Sequence, residues 1–316
     1  MTPAEIVQML GATTPELGAR IKFLDKVWEN SEKKISGRFF YLAFRDSKPT
    51  IDELINVAHA RIVNFAIPRS RIAEAQLEMI ASKNMDAFVR LITEARDLFI
   101  KTKTNTGRSG ELGEILLYML LEWMLKAPIV ACKMYLKTSL QMPVHGTDGI
   151  HLGFEGKNLV MYWGESKMHA KLTSALGEIL KSISDQTKSP ERYANEVRII
   201  RNNLNLDGLD AKTLTAIKNY FNPYKVENNQ YFDCYACFAG FNAGLYSDVA
   251  GVEHDKCEAK FREKYESYID GIFGDVLKAI SGDSNLSRFR FSYFLLPFPS
   301  VDEARALFQQ KLWGKL

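Results

Sequence analysis

What the sequence lacks narrows its class first. Four cysteines among 316 residues are too few for a disulfide framework, so a reducing, cytoplasmic setting is expected. No apolar run approaches the roughly 18 residues of a membrane-spanning helix. The opening MTPAEIVQMLGATTPELG lacks the basic-then-apolar pattern of a secretion signal. Charge of either sign is scarcely in excess: 41 basic and 38 acidic residues leave +3, so a polyanion would have to be held by a local patch. No G-x-x-x-x-G-K-[ST] phosphate loop occurs, and with it goes an ATPase of the chain's own. Internal repeats and low-complexity tracts are also missing. What remains, 46% hydrophobic and 25% charged residues, is an ordinary globular composition.

A polar, basic stretch, KTKTNTGRSG (101–110), divides the chain into an N-terminal region, 1–100, and a second domain, 101–316. In the first part, Ala19 to Trp28 has helical apolar spacing, and GRFFYLAF (37–44) reads as a strand. Thr50 to about Arg61 reads as a helix, with Glu53 completing a capping box. Residues 62–67 suit a strand or a helix tail. Helices are expected over 69–82 and 85–101. The second part opens with an apolar helix, ELGEILLYMLLEWMLK (111–126), on which Glu111, Glu114, Tyr118 and Glu122 share one narrow stripe. A strand (129–136), a hairpin, a helix (168–184), a strand (230–241), a long helix (256–280), a strand (288–296) and a closing helix (302–312) follow. This order predicts an α/β core with a mixed central sheet flanked by helices.

The hairpin lies within GTDGIHLGFEGKNLVMYWGESKMH (146–169). Gly156-Lys157 suits a two-residue type II′ turn, with glycine at the first central position. Counting outward, Phe154 faces Leu159, Leu152 faces Met161, Ile150 faces Trp163, and Asp148 faces Glu165. Alternation puts these pairs on one side, with Lys167 beside Glu165. Gly149, Gly153 and Gly164 fall on the other side with His151, which predicts close approach of another backbone or helix there. Two acids directly opposite repel, at a cost on the order of 0.2–1 kcal/mol. A divalent cation between them would offset that repulsion, and hard cations such as Mg²⁺ take oxygen ligands.

A glutamate-bearing helix, an acid opening one strand and Glu165-Ser166-Lys167 closing the next resemble the PD-(D/E)xK nuclease superfamily. The usual proline before the strand acid is absent, Thr147 standing there. The set GELGE, GTDG and GESK between Gly110 and Lys167 is similar to the HamA family, the nuclease subunits of Hachiman anti-phage defence systems. That resemblance covers most of the chain. It implies a restriction-endonuclease-like core, DNA as substrate, Mg²⁺ or Mn²⁺ as cofactor, and a HamB-like superfamily 2 helicase as partner in a heterodimer. It also implies Asp148, Glu165, the Ser166 carbonyl and Glu114 as metal ligands, with Lys167 acting on the attacking water or the transition state. Glu111 shares the Glu114 stripe and is the second choice. Either could instead sit on a solvated helix face. Lys171, and Arg108 with Lys101 and Lys103, are candidates for phosphate contacts.

A rival reading is a DNA-binding or scaffolding subunit that keeps the fold without catalysis. Cys234-x-x-Cys237 and His254-x-x-Cys257 have zinc-like spacing. However, the first pair sits in an apolar strand, where side chains three apart point to opposite faces, so core cysteines are favoured. Residues 1–100 carry no catalytic set and are expected to dock the partner.

Overall fold

A computed structural model describes residues 2–10, 17–32, 34–101, 110–132, 147–191, 194, 198, 206 and 209–314. The N-terminal part contains helices α1 (Pro3–Leu10) and α2 (Leu17–Arg20) and strands β1 (Ile21–Asn30) and β2 (Ile35–Leu42). A short ribbon, β3 (Phe44–Arg45) and β4 (Lys48–Pro49), leads into α3 (Ile51–Ala60), α4 (Ile62–Ala66), α5 (Arg69–Ser82) and α6 (Asp86–Lys101). Then come α7 (Glu111–Leu125), β5 (Ile129–Cys132), β6 (Gly149–Glu155), β7 (Asn158–His169), α8 (Leu172–Thr187) and α9 (Ala211–Phe221). The chain continues with β8 (Tyr231–Asn242), α10 (Leu245–Asp248), α11 (His254–Ile269), α12 (Ile272–Gly282), β9 (Arg290–Phe298) and α13 (Val301–Trp313).

Seven strands form one mixed sheet in the order β1-β2-β9-β8-β7-β6-β5. The middle is parallel (β2/β9, β9/β8, β8/β7), and antiparallel pairs close both sides. Strands from either side of the polar 101–110 stretch share this sheet, β2 pairing directly with β9. Parallel strands need cover on both faces. Helices α7 and α8 provide it over β7 and β8. The apolar length of α7 explains its position: Leu112, Ile115, Leu116, Met119, Leu120 and Leu121 are all fully buried. Each such side chain contributes roughly 1.5–3 kcal/mol by leaving water.

The hairpin folds in the counted register, from Glu155–Asn158 through Ile150–Trp163 to Gly149–Gly164. Gly156 has φ +61°, and Lys157 is not among the residues of positive φ, as a II′ turn requires. The glycine face meets a helix, as expected. A Cβ on Gly164 would lie 3.2 Å from Leu117 of α7, and one on Gly153 would lie 3.0 Å from the Ala127 Cβ.

Several expectations are corrected. Residues 21–30 are an edge strand rather than part of a helix running from Ala19 to Trp28. The pairing with β2 shifts between Phe23 and Val27, and that irregularity breaks the two-residue alternation. Ile21, Leu24 and Trp28 then fall at a helix-like spacing without forming one. Residues 62–66 are helical. No capping box forms at α3: the Thr50 hydroxyl donates to Ala43 O (2.9 Å), and Glu53 pairs with Arg45. The long helix expected over 256–280 is two, α11 and α12, parted at Asp270-Gly271. Met168 belongs to β7, so α8 starts at Leu172.

Gly37 on β2 marks the tightest packing. A Cβ there would lie 2.4 Å from Phe273 Cζ, and that ring is stacked on Trp28 at 4.5 Å and edge-on to Phe39 and Tyr293. Gly37→Ala should therefore cost about 1–3 kcal/mol through overpacking. Chemical denaturation should show this loss, and a second substitution, Phe273→Leu, should recover part of it.

Candidate active site

The open end of the β6–β7 hairpin carries the candidate site. Asp148 continues the ladder, its N–H donating to Gly164 O at 2.8 Å. Its carboxylate turns toward β7, where Oδ2 accepts from the Ser166 N–H (2.8 Å) and the Ser166 hydroxyl (2.7 Å). Glu165 and Lys167 flank Ser166 on the strand, so both point to the opposite side of the sheet from the Ser166 side chain. There they meet α8. Ser182 of that helix hydrogen-bonds Glu165, and Glu178 contributes to the field at Lys167. The Lys167 ammonium donates to Glu165 Oε1, and to Ser166 O at 3.3 Å.

The pair of acids is deeply placed. Asp148 is 7% exposed and Glu165 is 3% exposed. Burial raises the Glu165 carboxyl above its ordinary range, the Asp148 charge raises it further, and Lys167 and Ser182 pull it back only in part. Burial also works against the Lys167 charge. Glu165 and Asp148 outweigh that effect and hold the ammonium above its ordinary value. Among the described residues, these two buried carboxylates lie in the field of the Lys167 ammonium, with the Ser166 carbonyl alongside. In charge and donor type this set fits a hard divalent cation.

The first turn of α7 lies on the hairpin, where a Cβ on Gly113 would come 3.2 Å from Ser166 Oγ. Glu111 is buried and Glu114 is half-buried on either side of it. Among the described residues, no three His, Cys, Asp or Glu side chains converge as a metal-holding group. Glu114 is therefore brought to the same end of the hairpin without joining Asp148 and Glu165. For Glu165 the reason is the alternation of β7: Gly164 and Ser166 face α7, while Glu165 and Lys167 face α8.

Further along the α7 stripe, Glu122 is buried, and burial raises its carboxyl to about 7 despite the fields of Arg69 and Arg61 and a hydrogen bond from Tyr118. Lys171 is exposed just before α8. Arg108 and Lys103 lie outside the described residues. His151 is buried away from the acids, its Nδ1 2.8 Å from Ala127 O, and burial lowers it to about 4. Cys234 and Cys237 are buried in β8, Cys257 is buried on α11, and His254 is exposed. The Ser166 hydroxyl, Ser182 and Glu178 were not foreseen as parts of the site. A polar Ser182 between inward Ile179 and Ile183 was the one available signal.

The raised Glu165 carboxyl has a stability consequence with a definite sign. In the unfolded chain the group loses its proton near pH 4.5, but in the native state only at higher pH. The metal-free protein therefore loses stability as pH rises through that window. Glu165→Gln should remove this loss, so its thermal midpoint should rise relative to the native protein between pH 5 and pH 8. A pH series of melting curves in EDTA checks this, and a constant difference across the series would contradict it.

The HamA family model matches residues 19–312. No curated protein matches the chain. The match runs through both the hairpin and the N-terminal strands, and the chain therefore belongs to the HamA family of Hachiman defence proteins.

Proposed function

We propose that this protein is a metal-dependent DNA nuclease of Hachiman anti-phage defence, built on a PD-(D/E)xK core and working with a HamB-like superfamily 2 helicase. The observation that carries the reading is the buried Asp148–Glu165 pair with Lys167 donating to it. Asp148, Glu165 and the Ser166 carbonyl would hold Mg²⁺ or Mn²⁺. Such an ion, when bound, lowers the pKa of a water and stabilises the charge that builds on phosphate oxygens.

The chain's own groups do the rest. The two N–H and O–H donors of Ser166 fix the Asp148 carboxylate, so it need not reorganise when substrate arrives. Lys167 is held protonated by the two acids, which suits it to hydrogen-bond the attacking water and the crowded phosphorane rather than to remove a proton. Hydrolysis forms one P–O bond from water and breaks the bond to the leaving sugar oxygen. Lys171 at the rim, with Arg108 and its basic neighbours, would grip backbone phosphates. Such contacts carry no sequence preference and weaken with salt. Glu114 would complete the ligand set if α7 and the hairpin close further on DNA.

Helicase docking falls to the N-terminal region in this reading. Leu77 and Ile80 share one face of α5, and Val89 and Ile92 share one face of α6, with Met85 just before that helix. All five are exposed, Leu77 and Ile80 by 68% and 69%. Exposed apolar stripes of this kind mark interaction surfaces.

Cleavage of single- and double-stranded DNA, with Mg²⁺, helicase and ATP, tests the reading. Glu165→Ala and Lys167→Ala should each reduce the rate by about 10²–10³-fold, the usual effect of losing one transition-state contact. Undiminished cleavage by both variants would remove this assignment, whereas no metal binding together with unchanged phage protection in both variants would favour the scaffold reading. Leu77→Asp combined with Ile80→Asp should weaken helicase association by about tenfold or more, a loss of at least 1.4 kcal/mol. Unchanged co-purification with the helicase would remove the docking role.

A further inference from the structure

A cavity of about 540 Å³ opens on the α7 side of the sheet, past the C-terminal end of that helix. Its wall is assembled by strand register. Tyr162, Cys234 and Arg290 lie side by side on β7, β8 and β9, and Ser292 is paired with Ser36 one row further on. The next row holds Arg38, which is separated from Ser166 by Phe238 and Phe294 on the intervening strands. The cavity is therefore distinct from the Glu165–Lys167 site, which faces the other side of the sheet.

Its charges are unevenly matched. Lys34, Arg38 and Arg290 line it against two carboxylates, Glu29 and Glu155. Glu155 is already engaged: it accepts from the Tyr162 hydroxyl at 3.1 Å and lies 3.8 Å from the Arg290 guanidinium, which rests on the Phe232 ring. Arg38 has no carboxylate among the described residues. Its Nη1 donates to Ser292 Oγ at 2.8 Å and lies 3.5 Å from Ser36 Oγ, and the guanidinium sits 5.7 Å from the Phe294 ring centre. Two serine hydroxyls and an aromatic face fix the fork in place without neutralising it.

A half-buried guanidinium held by neutral groups at the floor of a cavity calls for an anion. The fork geometry of arginine matches phosphate oxygens in particular. The volume falls within the roughly 300–1,000 Å³ of small-molecule pockets. Met124 and Leu125 at the end of α7, with Tyr162, supply apolar surface to the wall. We infer that this cavity binds the terminal phosphate of a nucleotide-sized phosphomonoester, with Arg38 as the seat of the phosphate and Lys34 at its rim. A free mononucleotide and the 5′-phosphorylated end of a DNA strand present the same chemistry.

Titration calorimetry on the full chain in EDTA tests this inference, with a 5′-mononucleotide, its parent nucleoside, inorganic phosphate, and a short DNA strand with or without a 5′-phosphate. The mononucleotide, the 5′-phosphorylated strand or both should bind saturably, and the arm that binds identifies the source. The unphosphorylated counterpart should bind about tenfold more weakly or worse, as expected for a lost charge-assisted contact. Arg38→Gln should weaken binding to the same degree. Lys34 is exposed and has φ +54°, which asparagine tolerates, so Lys34→Asn keeps the test open should the Arg38 variant fail to fold. Its loss should be smaller, about threefold, and should vanish at high salt. Saturable binding by none of the phosphate-bearing probes, equal binding of nucleoside and nucleotide, or native affinity in both variants would overturn the inference.

Discussion

The register of the β6–β7 hairpin is the constraint on which the site depends. One residue of slip would send Glu165 and Lys167 under α7 and turn Ser166 toward α8. Two features oppose that slip. The turn accepts a positive φ only at Gly156, and the apolar pairs Ile150–Trp163 and Leu152–Met161 are fully buried. The glycine face adds a third restraint, because a Cβ on Gly164 would lie 3.0 Å from Gly149 O and 3.2 Å from the Leu117 side chain of α7. The chemistry at the open end is thus fixed by packing several residues away.

The hairpin could be read from sequence because its information is local. A turn glycine, alternating apolar residues and three glycines on one side define the register, the faces and the helix that covers one of them. Asp148 and Glu165 followed by counting. Readings that depended on contacts made elsewhere fared differently. Strand β1 was hidden by its irregular pairing between Phe23 and Val27, which replaced alternation with a helix-like spacing. Thr50 has the sequence of a capping residue, but its hydroxyl donates to Ala43 O, a partner that lies just before the ribbon leading into the helix. The approach of Ser182 and Glu178 from α8 depends on how a helix settles on a sheet, and no spacing in the sequence records that.

The α7 stripe shows the same limit. Helical periodicity correctly grouped Glu111, Glu114, Tyr118 and Glu122, but a shared stripe does not mean a shared environment. The helix axis carries its two ends about 16 Å apart at 1.5 Å per residue. The first turn meets the hairpin beside Ser166, while Glu122 meets Arg69 and Arg61 from the N-terminal region. One face of one helix therefore serves the candidate site at one end and joins the two parts of the chain at the other.

Glu122 and Glu165 are two buried acids that the fold surrounds differently. Both are almost completely buried, and burial raises both carboxyls. Glu122 lies in the field of two arginines and takes a hydrogen bond from Tyr118, so positive charge and a donor are supplied from within the chain. Glu165 instead has the Asp148 charge beside it, and Lys167 and Ser182 offset only part of the rise. Truncating one partner of a satisfied buried pair damages a structure, because the other charge is left uncompensated. At Glu165 the neighbouring Asp148 charge adds to the cost of burial instead of offsetting it. A stable protein maintains such a repulsion at a cost in its own stability. A cation delivered from outside would offset that cost, and this is the physical ground of the proposal that gives Glu165 a functional role and Glu122 a structural one.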